Sequence, residues 1–315
     1  MKIVMVTGCL GFLGSHLVEL LVQHGHRVYG VDAETYAANI DLLDTWSGFS
    51  DIFQYQKADI CDLTHLPDVD AIIHCAAETH VDNSLVDATT FTRTNILGTH
   101  RLLELCRGRR QYQMPLFLHI STDEVYGPVE IGETTEDAPL RPSSPYAASK
   151  AAADLIVQCY GHSFGVPYRI VRPSNLYGLR QYPEKLIPKA VRYLGLGRPI
   201  PIHEGGNARR SWLAVEDCAM AILAILDRGT NGATYNVSGD TEASVKEVAT
   251  AIVHAFHGPA VNAPDYLDFG YTRLGLDSRY HVADTKLRAL SWTPQGNLWA
   301  DLPALVARER ATFRW

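Results

Sequence analysis

The feature that most constrains the fold is a short apolar run near the N-terminus that passes directly into regularly spaced glycines. The run Val4–Val6 is followed by Gly8, Gly11 and Gly14 in a GxxGxxG spacing, and then by a helical pattern. Glycines in such a turn let the backbone approach a pyrophosphate, whose charge meets the free N–H groups at the start of the helix. The order strand, glycine turn and helix therefore predicts a dinucleotide-binding unit.

Two acidic residues extend this predicted site. Asp32 ends a second apolar segment, at the usual offset of about 20 residues beyond the glycines. A carboxylate at that position accepts hydrogen bonds from ribose hydroxyls and repels a 2′-phosphate, which favours NAD over NADP. Asp59 follows another extended segment and is placed to accept from the adenine amine. For Asp59, spacing alone equally allows an exposed loop acid.

Short apolar runs alternate with longer helical patterns through the first half of the chain. The predicted strands are Ile3–Val6, His26–Val31, Ala71–His74, Leu116–Ile120 and Tyr168–Val171. The predicted helices between them include Gly14–His24, Asn95–Cys106 and Tyr146–His162. This alternation predicts an α/β fold of the Rossmann type, with a doubly wound parallel sheet.

The pattern loosens after Tyr177, where helical segments are separated by loops containing proline and glycine. These segments are Glu184–Leu194, Val215–Asp227 and Ser244–Phe256. We predict an NAD-binding Rossmann domain over residues 1–176, which also takes in part of 208–240. Residues 177–315 are predicted to form a smaller C-terminal substrate-binding lobe.

Composition and charge exclude several classes of protein. The net charge of −7 argues against a nucleic-acid surface, which needs clustered Lys and Arg. No apolar run reaches the roughly 20 residues that span a bilayer, and the first residues lack the features of a signal peptide. The six cysteines are scattered without a CxxC pair, which indicates reduced thiols and neither disulfides nor a metal site. We therefore expect a cytoplasmic protein without a nucleic-acid or membrane partner.

A second group of residues carries chemistry. Tyr146 and Lys150 are four residues apart at the start of a predicted helix, so both project from one face. Thr122 follows the predicted strand Leu116–Ile120 and can hydrogen-bond the same substrate hydroxyl as Tyr146. An ammonium and a positive nicotinamide near the phenol favour the phenolate, which would make Tyr146 a base near neutral pH.

Asp123 and Glu124 come directly after Thr122. Polar side chains at the carboxyl end of a parallel strand usually face the ligand crevice. Paired carboxylates beside a site of hydride transfer supply an acid and a base for an elimination. The alternative is that the two acids cap the strand end or form salt bridges.

These motifs resemble the extended short-chain dehydrogenase/reductase superfamily and, more narrowly, the dTDP-glucose 4,6-dehydratases. The resemblance covers nearly the whole chain. It is carried by Thr7–Gly14, Thr35–Ala37, His74–Asp82, Thr94–Asn95, Ser121–Gly127, Ser144–Lys150, Arg172–Gly178, Pro183–Pro188, Arg210–Asp217 and Arg273–Tyr280.

The resemblance implies an NAD-dependent lyase that makes a 4-keto-6-deoxy sugar from a nucleotide-diphosphate hexose. Tyr146, aided by Thr122 and Lys150, would take the proton of the C4 hydroxyl as hydride passes to NAD. Glu124 would remove the C5 proton, and Asp123 would protonate the departing C6 hydroxyl. Hydride would then return to C6, so that NAD is recycled.

The resemblance also implies binding residues. Those for the cofactor are Gly8, Gly11, Phe12, Leu13, Gly14, Asp32, Asp59, Ile60, Ala76, Ala77, Tyr146 and Lys150. Those for the nucleotide sugar, dTDP-glucose above all, are His80, Ser84, Asn175, Lys185, Arg210 and Arg279. The sequence departs from the family pattern at Leu176, Ala214, Cys218, Leu274 and Leu276, which bears on the identity of the base and the sugar.

Two other readings remain open. A nucleotide-sugar 4-epimerase or decarboxylase of the same superfamily would share the glycines, Tyr146 and Lys150, but has no need for Asp123 and Glu124. A non-catalytic NAD-binding protein would not need the intact Thr/Tyr/Lys set. The superfamily resemblance also implies a homodimer, with an interface built from the helices Asn95–Cys106 and Tyr146–His162.

Overall fold

Strands and helices alternate along most of the chain in the structure, a computed structural model that describes residues 1–49, 51–110, 113–273 and 275–312. The strands are β1 (Ile3–Thr7), β2 (Arg27–Asp32), β3 (Phe53–Lys57), β4 (Ala71–His74), β5 (Leu116–Ile120), β6 (Tyr168–Pro173), β7 (Asn175–Tyr177), β8 (Ile200–His203), β9 (Arg209–Ala214), β10 (Thr234–Val237), β11 (Thr241–Ser244), β12 (Leu267–Tyr271) and β13 (Arg279–Tyr280). The helices are α1 (Phe12–Gln23), α2 (Leu42–Thr45), α3 (Val81–Val86), α4 (Ala88–Phe91), α5 (Thr99–Arg107), α6 (Pro145–Phe164), α7 (Leu186–Gly195), α8 (Val215–Arg228), α9 (Val245–His257), α10 (Thr285–Arg288) and α11 (Leu298–Ala311).

A seven-stranded sheet forms the centre of the molecule, in the order β10-β6-β5-β4-β1-β2-β3. All of its neighbouring pairs are parallel. The strand order reverses between β1 and β4, and ligands of doubly wound sheets bind in the crevice at such a point. The predicted Rossmann-type sheet is confirmed.

The two faces of this sheet are covered by different helices because its central strands are apolar on both sides. Helices α1 and α8 pack against each other on one face, where Leu17 and Ile222 belong to the same buried cluster. Helices α5 and α6 cover the other face, where Leu102 and Val157 are buried. The sheet therefore holds the carboxyl ends of its strands on a rigid frame.

Residues from the second half of the chain return to this sheet. Strand β10 pairs with β6 at the edge, and α8 packs on α1, so part of 208–240 joins the large sheet. The division of the chain into residues 1–176 and 177–315 stays a prediction.

Strand β9 forms a smaller mixed sheet by pairing with β7, β11 and β13, and β8 pairs with β12 in a separate two-stranded sheet. Helices α7, α9 and α11 pack together beside the mixed sheet over a second apolar core. Strand β7 begins directly after β6 ends, so this lobe starts at the carboxyl edge of the large sheet. None of the described helices is long and apolar enough to cross a membrane.

Candidate active site

A cavity of about 350 Å³ lies at the carboxyl ends of β1, β2, β4, β5 and β6, with the smaller lobe on its other side. Most of the predicted site residues line it. They are Gly8, Gly11, Phe12, Leu13, Gly14, Asp32, Asp59, Ile60, Ala76, Ala77, Thr122, Asp123, Glu124, Tyr146, Lys150, Asn175 and Lys185.

The glycine turn forms one end of the cavity. Gly8 has a φ of 68°, a left-handed conformation that favours glycine, and its N–H donates to Val31 O at 2.8 Å. Helix α1 then begins with Gly11 at its N-cap, where no side chain satisfies the first N–H groups of the helix. Those N–H groups face an anion-binding position by the geometry of a helix start.

Replacing Gly14 by Ala is expected to abolish retention of bound NAD and to lower the melting temperature. A Cβ on Gly14 would lie 2.0 Å from the carbonyl oxygen of Gly8, and this contact is with backbone, which cannot move aside cheaply. Differential scanning fluorimetry and cofactor extraction from the purified protein measure both effects. Gly195→Ala is the matched control, because a Cβ there meets nothing within 4 Å. Equal cofactor retention and equal melting temperatures in the two variants would contradict the glycine turn as the part of the site that holds NAD.

Asp32 is fixed at the end of β2. Its carboxylate accepts from Leu10 N at 2.9 Å and from Glu34 N at 2.8 Å. Burial raises the pKa of Asp32, and the two amide bonds oppose that change. Each oxygen keeps acceptor capacity for a further donor, such as a ribose hydroxyl.

Asp59 lies at the same end of the cavity. It accepts from Cys61 N at 2.8 Å and from the Arg93 guanidinium at 2.5 Å. Although burial opposes it, these bonds lower the pKa of Asp59. The glycine cradle and the two carboxylates fit the pyrophosphate and adenosine of NAD.

A buried hydrogen-bond chain supports the cavity wall, and sequence reasoning did not find it. The Thr7 hydroxyl lies 2.8 Å from His74 Nδ1, and His74 Nε2 lies 2.9 Å from the Thr99 hydroxyl, which donates to Asn95 O. Asn95 also donates to the Ser149 hydroxyl at 2.8 Å, so the chain ends beside Lys150 on α6. Thr7, His74, Asn95 and Ser149 all lie in motifs that carry the family resemblance, but nothing in the sequence indicates that they form one hydrogen-bonded network.

Tyr146 and Lys150 lie in the first turns of α6. This helix begins where it does because Ser144 caps it, accepting from Ala147 N at 3.1 Å, and Pro145 occupies its first turn. Both side chains are buried and line the cavity. The Lys150 ammonium donates to Ile120 O at 2.5 Å, which anchors it to the end of β5.

The electrostatic surroundings of Tyr146 and Lys150 differ from the expectation that a neighbouring ammonium makes the Tyr146 phenol a base near neutral pH. Burial and the Glu124 carboxylate raise the pKa of Tyr146, and a hydrogen bond with the Thr122 hydroxyl opposes the rise. Burial lowers the pKa of Lys150 to about 8, and Asp154 opposes that change. A base near neutral pH at Tyr146 therefore requires a further positive charge beside the phenol.

Asp123 and Glu124 occupy a short 3₁₀ turn at the end of β5. Thr122 caps this turn, accepting from Glu124 N at 3.3 Å. Burial and the neighbouring Glu124 raise the pKa of Asp123 to about 7, against the Arg210 cation. Burial also raises the pKa of Glu124, while Arg210 and Lys185 oppose that change. Among the described atoms, Asp123 Oδ2 is buried without a hydrogen-bond partner, as an acid that serves a ligand would be.

Two of the predicted substrate residues line the cavity and one more acts on it. Asn175 starts β7, and the Lys185 ammonium donates to Thr79 O at 3.0 Å. Arg210 is not part of the lining, but its charge acts on both Asp123 and Glu124. Its guanidinium donates to Asp277 O at 3.0 Å and lies over the Tyr280 ring.

The other three predicted substrate residues have local partners and lie outside the lining that the described residues form. His80 caps α3, accepting from Asn83 N at 3.3 Å, and the Ser84 hydroxyl donates to Val81 O at 2.6 Å. Arg279 pairs with both carboxylate oxygens of Glu242, at 2.8 and 2.9 Å. Their assignment to the substrate stays a prediction, and Leu274 lies outside the described residues.

Several residues that line the cavity are not among those predicted from the sequence. Tyr182 and Glu184 come from the loop before α7, and Thr35 comes from the loop after β2. The two loops meet where the Tyr36 hydroxyl donates to Glu184 at 3.1 Å. The motifs Thr35–Ala37 and Pro183–Pro188 contain Thr35, Tyr36 and Glu184, and Tyr182 directly precedes the second motif, but nothing in their spacing indicates that the two loops meet.

Comparison with known proteins agrees with this geometry. The model of the NAD dependent epimerase/dehydratase family matches residues 4–238. The dTDP-glucose 4,6-dehydratase of Streptomyces griseus is 40% identical over 96% of this chain and 92% of its own. That of Haemophilus influenzae is 38% identical over 93% of each chain.

Solved structures give the same result. A crystal structure of dTDP-glucose 4,6-dehydratase from Streptomyces venezuelae, with NAD and TYD bound, has a TM-score of 0.92 and 34% identity, over 98% of this chain and 97% of that one. The UDP-glucuronic acid 4-epimerase of Bacillus cereus, in complex with UDP-glucuronic acid and NAD, has a TM-score of 0.89 and 26% identity, over 99% of this chain and 100% of that one. The chain therefore belongs to the NAD dependent epimerase/dehydratase family and, within it, to the dTDP-glucose 4,6-dehydratase family.

Proposed function

We propose that this protein is a nucleotide-sugar 4,6-dehydratase that works with bound NAD and converts a nucleotide-diphosphate hexose to the 4-keto-6-deoxy sugar. The observation that carries the proposal is the pair Asp123–Glu124, which lines the same cavity as Thr122, Tyr146 and Lys150. A redox step at C4 needs only the last three residues. The two carboxylates add the acid and the base that an elimination requires.

The residues divide the proton transfers among them. Tyr146, hydrogen-bonded by Thr122 and with Lys150 one turn away, takes the proton of the C4 hydroxyl. When bound, NAD would accept the hydride from C4 and return it to C6. Glu124 then removes the C5 proton, which the C4 ketone has made acidic. Asp123 gives its proton to the C6 hydroxyl, which leaves as water. The double bond that remains between C5 and C6 would then take up hydride at C6 and a proton at C5, which gives the 4-keto-6-deoxy sugar.

The environment of each carboxyl group supports the proposed assignment of acid and base. An acid must hold its proton at working pH, and burial beside Glu124 raises the pKa of Asp123 to about 7. Burial also raises the pKa of Glu124, but three cations, Arg210, Lys185 and Arg273, oppose that rise and favour its charged form. These environments support the proposal that Asp123 is the acid and Glu124 the base, the roles that the family resemblance implies.

We propose dTDP-glucose as the substrate, because full-length relatives at 38–40% identity are dTDP-glucose 4,6-dehydratases. UDP-glucose is the second candidate, because a UDP-glucose 4,6-dehydratase of Arabidopsis thaliana, part of a trifunctional protein, is 38% identical over 95% of this chain. Asn175, Lys185 and Arg210 are the proposed ligands of the diphosphate, with His80, Ser84 and Arg279 as further candidates.

Mass spectrometry of the purified protein with dTDP-, UDP-, GDP- and CDP-glucose and with UDP-glucuronic acid, without added nicotinamide, tests the proposal. We expect a product lighter by one water, formed over many turnovers. An unchanged mass with an inverted C4 centre would assign the protein as an epimerase. Loss of carbon dioxide from a uronic-acid substrate would assign it as a decarboxylase.

We also propose that the protein is a cytoplasmic homodimer. All six cysteines are free thiols, as expected in a reducing compartment. On the two predicted interface helices and the turn before α5, large apolar side chains are exposed, at 54% for Leu97, 56% for Leu155 and 40% for Phe164. Exposed apolar side chains grouped on neighbouring helices are typical of an interface between subunits.

Leu155→Asp is expected to convert the dimer to a monomer, because it places a charge in an apolar interface. Sedimentation velocity at micromolar concentration measures the change. Met220→Asp is the control, since Met220 is 44% exposed on α8, on the other face of the sheet. A wild-type monomer, or a dimer that survives the Leu155 change and splits with the Met220 change, would refute this interface.

A further inference from the structure

A buried ion pair lies behind the catalytic residues of α6. Asp154 is fully buried one helical turn beyond Lys150, as Lys150 is one turn beyond Tyr146. Its Oδ2 accepts from the Nε of Arg172 and pairs with its terminal nitrogen, both at 2.9 Å. Its Oδ1 lies 3.4 Å from His119 Nε2. None of these three residues lines the cavity as the described chain forms it.

Arg172 also connects Asp154 with the turn that carries the two catalytic carboxylates. Its second terminal nitrogen donates to the Tyr126 hydroxyl at 2.6 Å, and Tyr126 donates to Asn236 on β10 at 2.8 Å. Tyr126 ends the turn that carries Asp123 and Glu124. The guanidinium is thus held from two sides and fixes the position of the Asp154 carboxylate.

The groups that face Lys150 come from several elements. Tyr146 and Asp154 share its helix, His74 and Cys75 come from the end of β4 and His119 from β5. Arg172 on β6 acts on Asp154 and His119. Burial lowers the pKa of His74 to about 3 and that of His119 well below its usual value, so both are neutral. Burial raises the pKa of the Cys75 thiol to about 12. Burial raises the pKa of Asp154, and the Arg172 guanidinium bound to its carboxylate opposes that rise. Among these described groups, Asp154 is the one carboxylate that can offer Lys150 a negative charge.

We propose that Asp154 is a positioning residue for the reaction, whose carboxylate, clamped by Arg172, keeps the Lys150 amine in its charged form. The inference rests on the proposed function, because a charged Lys150 is needed to stabilise the Tyr146 phenolate. The ammonium is buried and donates to a neutral carbonyl, so the Asp154 charge is the compensation that the interior offers it.

Removing the Asp154 charge has a defined consequence. The Lys150 ammonium would then be buried without a counter-charge, which favours the neutral amine, and Arg172 would lose its anion as well. Burial already lowers the pKa of Lys150 to about 8 with Asp154 in place. A further fall leaves Lys150 uncharged at neutral pH, and the Tyr146 phenolate then loses its support.

Competitive labelling with acetic anhydride tests the charge of Lys150 without any sugar substrate. The neutral amine reacts, so the extent of labelling at Lys150 against pH, read by peptide mass spectrometry, gives its titration midpoint. In Asp154→Asn we expect the midpoint to fall by about one pH unit or more. Asp154→Glu, which keeps the charge, should restore it to near the wild-type value. An unchanged midpoint in Asp154→Asn overturns the proposal.

Control variants separate charge from structure. Arg172→Lys keeps the cation but loses the two-bond clamp, so it should lower thermal stability and leave the midpoint near that of the wild type. Asp217→Asn alters another buried carboxylate, which accepts from Gln295 N and Gly296 N, and should leave the midpoint unchanged. A midpoint that falls in all three variants would show a structural effect only and overturn the proposal.

A second variant allows the proposal to be tested even if Asp154→Asn does not fold. The double change Asp154→Asn with Arg172→Met removes both charges, which buried pairs tolerate better than the loss of one partner. Its midpoint should still lie below the wild-type value. Because labelling uses no sugar, a negative result in the nucleotide-sugar assay would refute the proposed function without deciding this test. With the active substrate, C4 oxidation at pH 7 should fall by about tenfold in Asp154→Asn.

Discussion

Tyr146→Phe is expected to reduce turnover of the nucleotide sugar by a factor on the order of 10³, within the range found when a general base is removed. The phenol is the group in the cavity that Thr122 hydrogen-bonds and that shares a helix face with Lys150. Without its oxygen, the C4 hydroxyl has no acceptor for its proton, so the first step fails. Quenched-flow mass spectrometry would detect neither the C4 ketone nor the dehydrated product.

The variant should otherwise resemble the wild type. Tyr146 is buried, but Phe keeps the ring and its edge contact with Phe91, so we expect a melting temperature within a few degrees of wild type. Bound NAD measured after extraction should also remain. Turnover at more than a tenth of the wild-type rate, with intact fold and cofactor, would assign the C4 proton to another base.

The second large effect is expected from Asp123→Asn and Glu124→Gln. Both variants should form the C4-oxidised sugar, because Tyr146, Thr122 and Lys150 are intact, but water loss should slow by roughly 10²–10⁴. Quenched samples should then contain substrate lighter by two hydrogens and little product lighter by one water. Equal loss of both partial reactions would contradict the assigned roles.

The acid role also sets a pH dependence for water loss. Burial and Glu124 raise the pKa of Asp123 to about 7, so its proton is present below that pH and is lost as the pH rises through it. In wild type the rate of water loss should therefore fall above about pH 7. Asp123→Asn should remove that limb of the profile, because its residual rate does not depend on this proton. Persistence of the same limb in the variant would place the titrating group elsewhere.

The strongest local patterns were enough to predict the large sheet and the reacting residues. Strand β5 has the bounds predicted from its apolar run, and α6 extends the predicted helix by a residue or two at each end. Thr122 follows the carboxyl end of β5, and Tyr146 and Lys150 lie at the start of α6. Two well-predicted elements therefore place these three residues in one cavity. The family resemblance contributed the proposed roles of Asp123 and Glu124.

What could not be predicted depends on residues far apart in the sequence. Strand β10 has only four residues, in which polar and apolar side chains are mixed, so its sequence does not identify it as a strand. Its place in the large sheet comes from pairing with β6. The partner of Arg279 is Glu242, which no spacing rule connects with it. The contact between Asp154 and Arg172 similarly joins a helix to a strand, so only the i, i+4 relation of Asp154 to Lys150 is visible in the sequence.

The return of the chain to the large sheet governs how the protein can be assembled on the ribosome. A nascent chain that has reached the end of β6 presents an open strand edge, which β10 later covers, and an apolar side of α1, which α8 later covers. Both covering elements are translated after β7, β8 and α7 of the smaller lobe. The dinucleotide half therefore completes its core only when much of the other lobe has been made. An expression fragment ending at residue 176 is expected to aggregate, because its open strand edge and the uncovered side of α1 stay exposed.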